Sequence, residues 1–182
     1  MKYTIENILQ RINSGEKPDF LFFWGHQRAK DGSLIRTCFS QWWPSNFEEN
    51  GITYKTAEHY MMAGKARLSN DGETLQRILE KESPKDVKDL GRQVKNFDSK
   101  LWDAHKFEIV KQGNFLKFSQ NEELKSFILQ TGHKIIVEAS PVDTVWGIGL
   151  ASDNPLAQHP ATWKGQNLLG FALMEVRDEI KK

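Results

Sequence analysis

Apolar residues recur along this chain with two different periods. Near the end, Leu169, Leu173, Val176 and Ile180 fall at i, i+4, i+7 and i+11. That spacing marks one helical face and predicts a helix over about 168–180. Two short runs behave differently. FLFFW at 20–24 stops at Gly25, and KIIVEA at 134–139 follows Gly132; both are brief, bulky and bounded by turn residues, the signature of buried strands. ITY at 52–54 predicts a third short strand. Residues 3–13 read as an amphipathic helix.

The middle of the chain is helical. Thr56 is placed to N-cap a helix over about 57–68. Ser83 followed by Pro84 predicts a helix start, running to about 94. Asp98 or Ser99 opens a long helix reaching about 113–117. Ser119 to Glu122 matches a capping box for a further helix that stops at Gly132. Residues 25–50 and 140–167 carry most of the Gly, Pro and Asn punctuation and predict long irregular segments, which in compact domains are usually functional. Strands and helices do not alternate as βαβ units, so the expected fold class is α+β, predominantly helical, with a few short strands. Residues 1–182 are expected to form one domain, with 1–19 an N-terminal helical extension.

Composition narrows the function classes. With 182 residues the chain is long enough for a core without staples. Its 25 basic and 24 acidic residues leave a net charge of +1, which excludes a strongly cationic nucleic-acid protein but not a local basic groove. No stretch nears the roughly 20 apolar residues of a membrane span, and MKYTIENILQ has no secretory h-region. Cys38 is the single cysteine, so an intrachain disulfide and a cysteine-cluster metal site are excluded, and a cytoplasmic location is expected. The five histidines are scattered without i, i+4 pairs, and phosphate-loop, dinucleotide and nucleophile-elbow motifs are absent. No metal and no cofactor are expected.

Three constellations remain. In TAEHYMMAGKARL, Ala57, Tyr60, Met61, Gly64 and Leu68 share one helical face that should be buried. Glu58, Met62 and Lys65 form a stripe at its border. Glu58 and Lys65 lie about 10 Å apart along the axis, too far for a surface pair. They either flank a ligand or are a dipole-satisfying carboxylate and a solvated lysine. Glu138 at the end of KIIVEA and Asp143 in DTVWGIG form a second acidic group; Glu138 either faces a pocket or alternates outward, and Asp143 either joins it or caps a turn. The third is SQWWPSNF at 40–47, where Asn46 could hydrogen-bond a polar ligand while Trp42, Trp43 or Phe47 stacks on a ring, with Trp102 as another stacking candidate. Such a set suits a nucleobase, and equally a wet corner of the core.

Taken in order, FSQWWPSNF, Tyr54 to Met61, Gly91-Arg92, Trp102-Asp103, Val137-Glu138, Asp143 with Trp146-Gly147, and Gln166 to Gly170 resemble the YbiA-like, or NADAR, family over roughly residues 20–180. The resemblance implies a compact, mostly helical domain with N-glycosidase activity on a ribose-phosphate or ADP-ribose group. Family members act on early riboflavin-pathway intermediates or remove ADP-ribose from guanine in DNA. By the resemblance, the family glutamate falls on Glu58, its functional tryptophan on Trp102 and its acidic residue on Asp143. The implied chemistry breaks a C1′–N bond through an oxocarbenium-like sugar, with Glu58 as base or electrostatic stabiliser. Lys65 would hold a phosphate or attack the opened sugar. Asp143 would bind ribose hydroxyls or position water. Phe23, Trp42, Phe47, Trp102, Glu138, Trp146 and Gly147 would line the substrate pocket, and Asn46 and Arg92 would bind base or phosphate. ADP-ribosylated guanine in DNA is the favoured substrate, with Arg28, Lys30 and Arg36 as candidate DNA contacts. Riboflavin intermediates are the alternative, and a non-catalytic nucleotide sensor is a third. The chain carries more residues before the aromatic strand than many relatives do, which leaves substrate choice open.

Overall fold

The computed structural model describes residues 1–182. In chain order the elements are α1 (Ile5–Asn13), β1 (Phe20–Phe23), β2 (Phe47–Glu49), β3 (Ile52–Tyr54), α2 (Ala57–Leu68), α3 (Gly72–Glu80), α4 (Pro84–Arg92), α5 (Ser99–Ser119), α6 (Glu122–Gln130), β4 (Ile135–Glu138) and α7 (Leu168–Ile180), with short 3-10 turns at 36–39, 155–158 and 160–162. The fold is α+β and predominantly helical, as expected. No helix is long and apolar enough to cross a membrane.

Helix α7 lies at the centre. Leu168 to Val176 are buried without interruption, including Glu175, so the helix is covered on every side and not on one stripe alone. Helix α5 and strand β4 pack directly on it. β4 pairs in parallel with β1, Phe20 opposite Ile135 and Phe23 opposite Glu138. The strand predicted over 20–24 is one residue shorter and only half-buried until Phe23; Trp24 is 57% exposed.

Asn167 locks this centre together. It takes a left-handed backbone (φ 55°) just before α7. Its Nδ2 donates to Ile136 O (3.0 Å) and its Oδ1 accepts from Glu138 N–H (2.9 Å), so the side chain acts as a third strand beside β4. The approach requires a glycine: a Cβ at Gly170 would lie 2.2 Å from Ile136 O. Ile136 O is backbone, and the Asn167 side-chain amide, 2.5 Å away, is held by its two hydrogen bonds, so neither neighbour has much room to yield. Gly170→Ala is therefore expected to destabilise the protein by about 3 kcal/mol in urea denaturation.

Three local expectations change. Residues 47–54 form an antiparallel hairpin, Phe47 opposite Tyr54, turned at Asn50 and Gly51, which both have positive φ. Helix α3 lies where the sequence offered no expectation; Asp71 caps it by accepting from Thr74 N–H (3.0 Å). Ser119 ends α5 and makes no capping box, since Asn121 occupies the N-cap of α6. The N-terminal segment is docked on the domain, with Ile8 buried and Tyr3 Oη donating to Asp178 (2.7 Å).

Candidate active site

The carboxyl ends of β1 and β4 open on a cleft of about 910 Å³. Its walls come from the stripe Glu58, Met61, Met62 and Lys65 of α2, the last turn of α4 with Lys88 and Arg92, the first turns of α5 with Trp102 and Lys106, and the loop from Ser140 to Trp146. The α2 stripe is positioned by its cap. Thr56 Oγ1 accepts from His59 N–H (3.4 Å), and Glu58 N–H donates to Gln41 O (2.9 Å). His59 Nε2–H donates to Lys81 O (3.0 Å), which leaves Nδ1 to accept from the Thr56 hydroxyl (2.8 Å). The helix start is thus fixed from two sides before Glu58 leaves the backbone. Helix α2 is buried around most of its circumference, with Glu58 itself 5% exposed. A solvated, dipole-satisfying Glu58 is therefore excluded.

Charge is concentrated here. Burial pushes the Glu58 carboxyl up to about 7; Lys88 and the hydrogen-bonding Trp42 pull it down, and Asp143 pushes it up. Burial pushes Glu138 up to about 8, with Asp143 and Glu58 raising it further. Oε2 of Glu138 is closed off from solvent and has no hydrogen-bond partner. Asp143 does both things the sequence left open. It lines the cleft, and its Oδ1 accepts from Val145 N–H (2.9 Å) and Trp146 N–H (2.7 Å). Lys65 Nζ donates to Gly91 O (2.7 Å) and lies 4.1 Å from the Phe97 ring centroid; burial lowers its pKa. No group of three or more His, Cys, Asp or Glu side chains is arranged to hold a metal ion.

A buried carboxylate group beneath a cationic, aromatic wall is an arrangement that can bind a sugar phosphate and stabilise a cation on the sugar. The sequence profile of the NADAR domain matches residues 22–181. The chain belongs to the NADAR domain family. It is 46% identical over 169 residues to N-glycosidase R617 of Acanthamoeba polyphaga mimivirus, covering 90% of this chain and 98% of that one. It is 31% identical over 144 residues to N-glycosidase Npun_R5314 of Nostoc punctiforme, covering 79% and 85%. The NMR structure of the E. coli protein YbiA superposes with a TM-score of 0.71 at 25% identity, covering 91% of this chain and 87% of that one.

In this NADAR domain, nine of the residues singled out in the sequence line one cleft: Phe23, Trp42, Glu58, Lys65, Arg92, Trp102, Glu138, Asp143 and Trp146. Three do not. Phe47 is core, stacked on Tyr54 with ring centroids 5.7 Å apart, because it opens the hairpin. Asn46 is exposed outside the cleft, where its carbonyl accepts from Asn121 Nδ2 (3.2 Å). Gly147 packs the turn from below; a Cβ there would lie 2.8 Å from Glu138 O. Trp43 is likewise core, at 1% exposure. Arg28, Lys30 and Arg36 are exposed and outside the cleft, with Arg28 held over the Trp43 ring.

The structure adds residues that sequence reasoning passed over. Lys88 faces both raised carboxyls and lies 5.8 Å from the Trp42 ring centroid. Its position in PKDVKDLGR resembles any solvated lysine, so only the tertiary fold reveals it. Lys106, Gln41 and the exposed Trp24 also line the cleft. Cys38 is buried, and burial pushes its thiol up to about 12, as suits an inert core residue.

Proposed function

We propose that this NADAR domain hydrolyses the C1′–N bond between a ribose-phosphate or ADP-ribose group and a nucleobase, with ADP-ribosylated guanine in DNA as the favoured substrate. The coarser statement follows from its family: the chain is an N-glycosyl hydrolase, like the relatives named above. The finer one is carried by the shape of the cleft mouth. Trp24, 57% exposed, stands at the rim beside His26 and offers a bare ring to a base outside the cleft. The same loop continues into Arg28, Lys30 and Arg36, all exposed and cationic, the residue type that contacts a nucleic-acid backbone.

Within the cleft, ionised Glu58 faces the C1′ carbon, stabilises its developing positive charge and takes the proton of the attacking water. Asp143, whose Oδ1 is held by two backbone amides, directs its other oxygen at ribose hydroxyls or at that water. Trp42, Trp102, Trp146 and Phe23 wall the base and sugar. Arg92 and Lys88 hold phosphate. Lys65 holds a phosphate or forms a Schiff base with the opened sugar, a role favoured by the burial that lowers its pKa.

The second reading is hydrolysis of early riboflavin-pathway intermediates, ribosylamino-pyrimidine phosphates. Its support is volume: about 910 Å³ can enclose a mononucleotide without help from the rim. A non-catalytic nucleotide sensor uses the same walls but gains nothing from a buried carboxylate group.

The test is mass-spectrometric detection of ADP-ribose released from a guanine-ADP-ribosylated oligonucleotide, run beside a ribosylamino-pyrimidine phosphate. Release from DNA that falls roughly tenfold or more between 50 and 200 mM salt is the expected result, as for about three phosphate contacts. Turnover of the pyrimidine alone moves the assignment to the metabolite. Binding of ADP-ribose with no turnover of either leaves the sensor.

A further inference from the structure

A leaving nucleobase departs with the electron pair of its C1′–N bond and needs a proton in return. The cleft contains one group placed and prepared to give it. Glu138 ends β4 at the floor of the cleft, between Phe23 on the paired strand and Asn167 on the other side. Its backbone is fixed at both polar atoms: the N–H donates to Asn167 Oδ1 (2.9 Å) and the carbonyl accepts from Ile148 N–H (2.9 Å). The side chain has no such anchor. The residue lines the cleft, and its Oε2 is closed off from solvent without a hydrogen-bond partner, which favours the protonated carboxyl over a charged one.

The surroundings decide which form of Glu138 is present. Asp143 from the loop and Glu58 from α2 face it with negative charge, and Lys88 of α4 is the cation that opposes them. Lys65 of α2, Arg92 of α4, Asp103 and Lys106 of α5 and His26 after β1 complete the charged and titratable lining. Arg92 and Lys106 are already paired with Asp89 and Asp103. Glu58 has Lys88, Trp42 and Arg92 to hold its charge, so the first proton to leave the pair leaves Glu58. Two carboxyls whose environments drive them apart in acidity are the pattern of an acid and a base.

We propose that Glu138 is the general acid of this N-glycosidase, donating its proton to the departing nucleobase while Glu58 receives the proton of the incoming water. The inference rests on the N-glycosidase class alone and not on the favoured substrate. The bonds balance. The C1′–N bond breaks with its pair going to the base, and the Glu138 proton adds to that base. A water oxygen bonds to C1′ and its proton goes to Glu58. The products are the free sugar and the free base, and a proton returning from Glu58 to Glu138 through solvent resets the site.

The test compares leaving groups. Glu138→Gln keeps the size and a donor but cannot release a proton. On the nucleobase substrate that the wild type cleaves, it is expected to lose at least 100-fold in kcat. On p-nitrophenyl ribofuranoside 5-phosphate, whose phenolate leaves without a proton, it is expected to lose less than about tenfold. The alkaline limb of the wild-type kcat/KM profile, which reports the free enzyme and is expected near the about 8 of Glu138, should vanish in the variant. Equal losses on both leaving groups, or persistence of that limb, overturn the proposal. A 13C-carboxyl NMR titration of glutamate-labelled protein needs no substrate. A resonance that titrates near pH 8 and is lost in Glu138→Gln supports the assignment; titration in the ordinary carboxylate range overturns it. That readout stands even if the favoured substrate is the wrong one.

Discussion

Glu58→Gln is expected to lower kcat by about 10²–10⁴-fold with substrate affinity nearly unchanged. In the terms of the proposed function, the amide keeps the volume and one acceptor oxygen but carries no charge toward C1′ and accepts no proton. The fold should not suffer. Glu58 is a buried carboxyl whose pKa rises on folding to about 7, chiefly through burial. The native state therefore holds that proton more tightly than the unfolded chain does. Its contribution is greatest below the unfolded value of 4.5 and is lost as pH rises through about 7. Above that pH the wild type carries a buried charge that the variant lacks. Glu58→Gln should thus be as stable as the wild type at pH 4 and more stable at pH 8, while nearly inactive at both. Urea denaturation at the two pH values, with calorimetric ligand binding at pH 7.5, checks all three statements. A variant that turns over at full rate overturns the assigned role.

The second large effect lies away from the cleft. Lys117 of α5 is fully buried, and its Nζ donates to Cys38 O (2.6 Å) and Ser40 O (2.9 Å). Burial pulls its pKa down to about 7. A neutral amine has two hydrogens to donate, and two carbonyls receive them. Those carbonyls belong to the segment that delivers Gln41 and Trp42 to the cleft, and Asn114 one turn away donates to Gln41 Oε1 (2.7 Å). Lys117→Ala removes the stem and both donors together. It is expected to cost on the order of 4 kcal/mol and to lower activity through a displaced Trp42. Lys117→Met keeps most of the packing and separates the two effects. The pH sign is the reverse of that for Glu58. The folded pKa of Lys117 is depressed, so between about 7 and 10.5 the unfolded chain binds more protons and stability rises with pH. That rise should be missing from Lys117→Met when the two proteins are unfolded at pH 7 and at pH 9.5.

Much of the fold was written locally. Thr56 before an apolar-periodic stretch marks the start of α2, and the spacing of Leu169 to Ile180 marks α7. What failed did so for identifiable reasons. Asn50-Gly51 is a hairpin signal, but it lies inside a loop-like stretch, and reading past it left Phe47 and Asn46 available as pocket residues. Asp71 four residues before Leu75 signals a helix, but Gly72 at its first position conceals it. The burial of Glu58, Lys117 and His59 has no local signature at all, because it arises from elements distant in sequence closing over them. The same holds for Lys88. The stripe of Glu58, Met62 and Lys65 was legible as a unit because three positions of one helix need no tertiary information to share a side.

The parallel pair β1–β4 has a kinetic meaning as well. Its two strands are separated in sequence by everything from β2 to α6. Local helices can form in microseconds, but closing so long a loop carries an entropic cost that is recovered only when the strands meet. Until then Glu138 hangs in water as an ordinary acid, far from Glu58. On the proposed roles of Glu138 and Glu58, catalytic power is a late product of folding: a refolding chain should regain its helical signal well before its activity, and a partly folded one should be chemically silent toward the C1′–N bonds it meets.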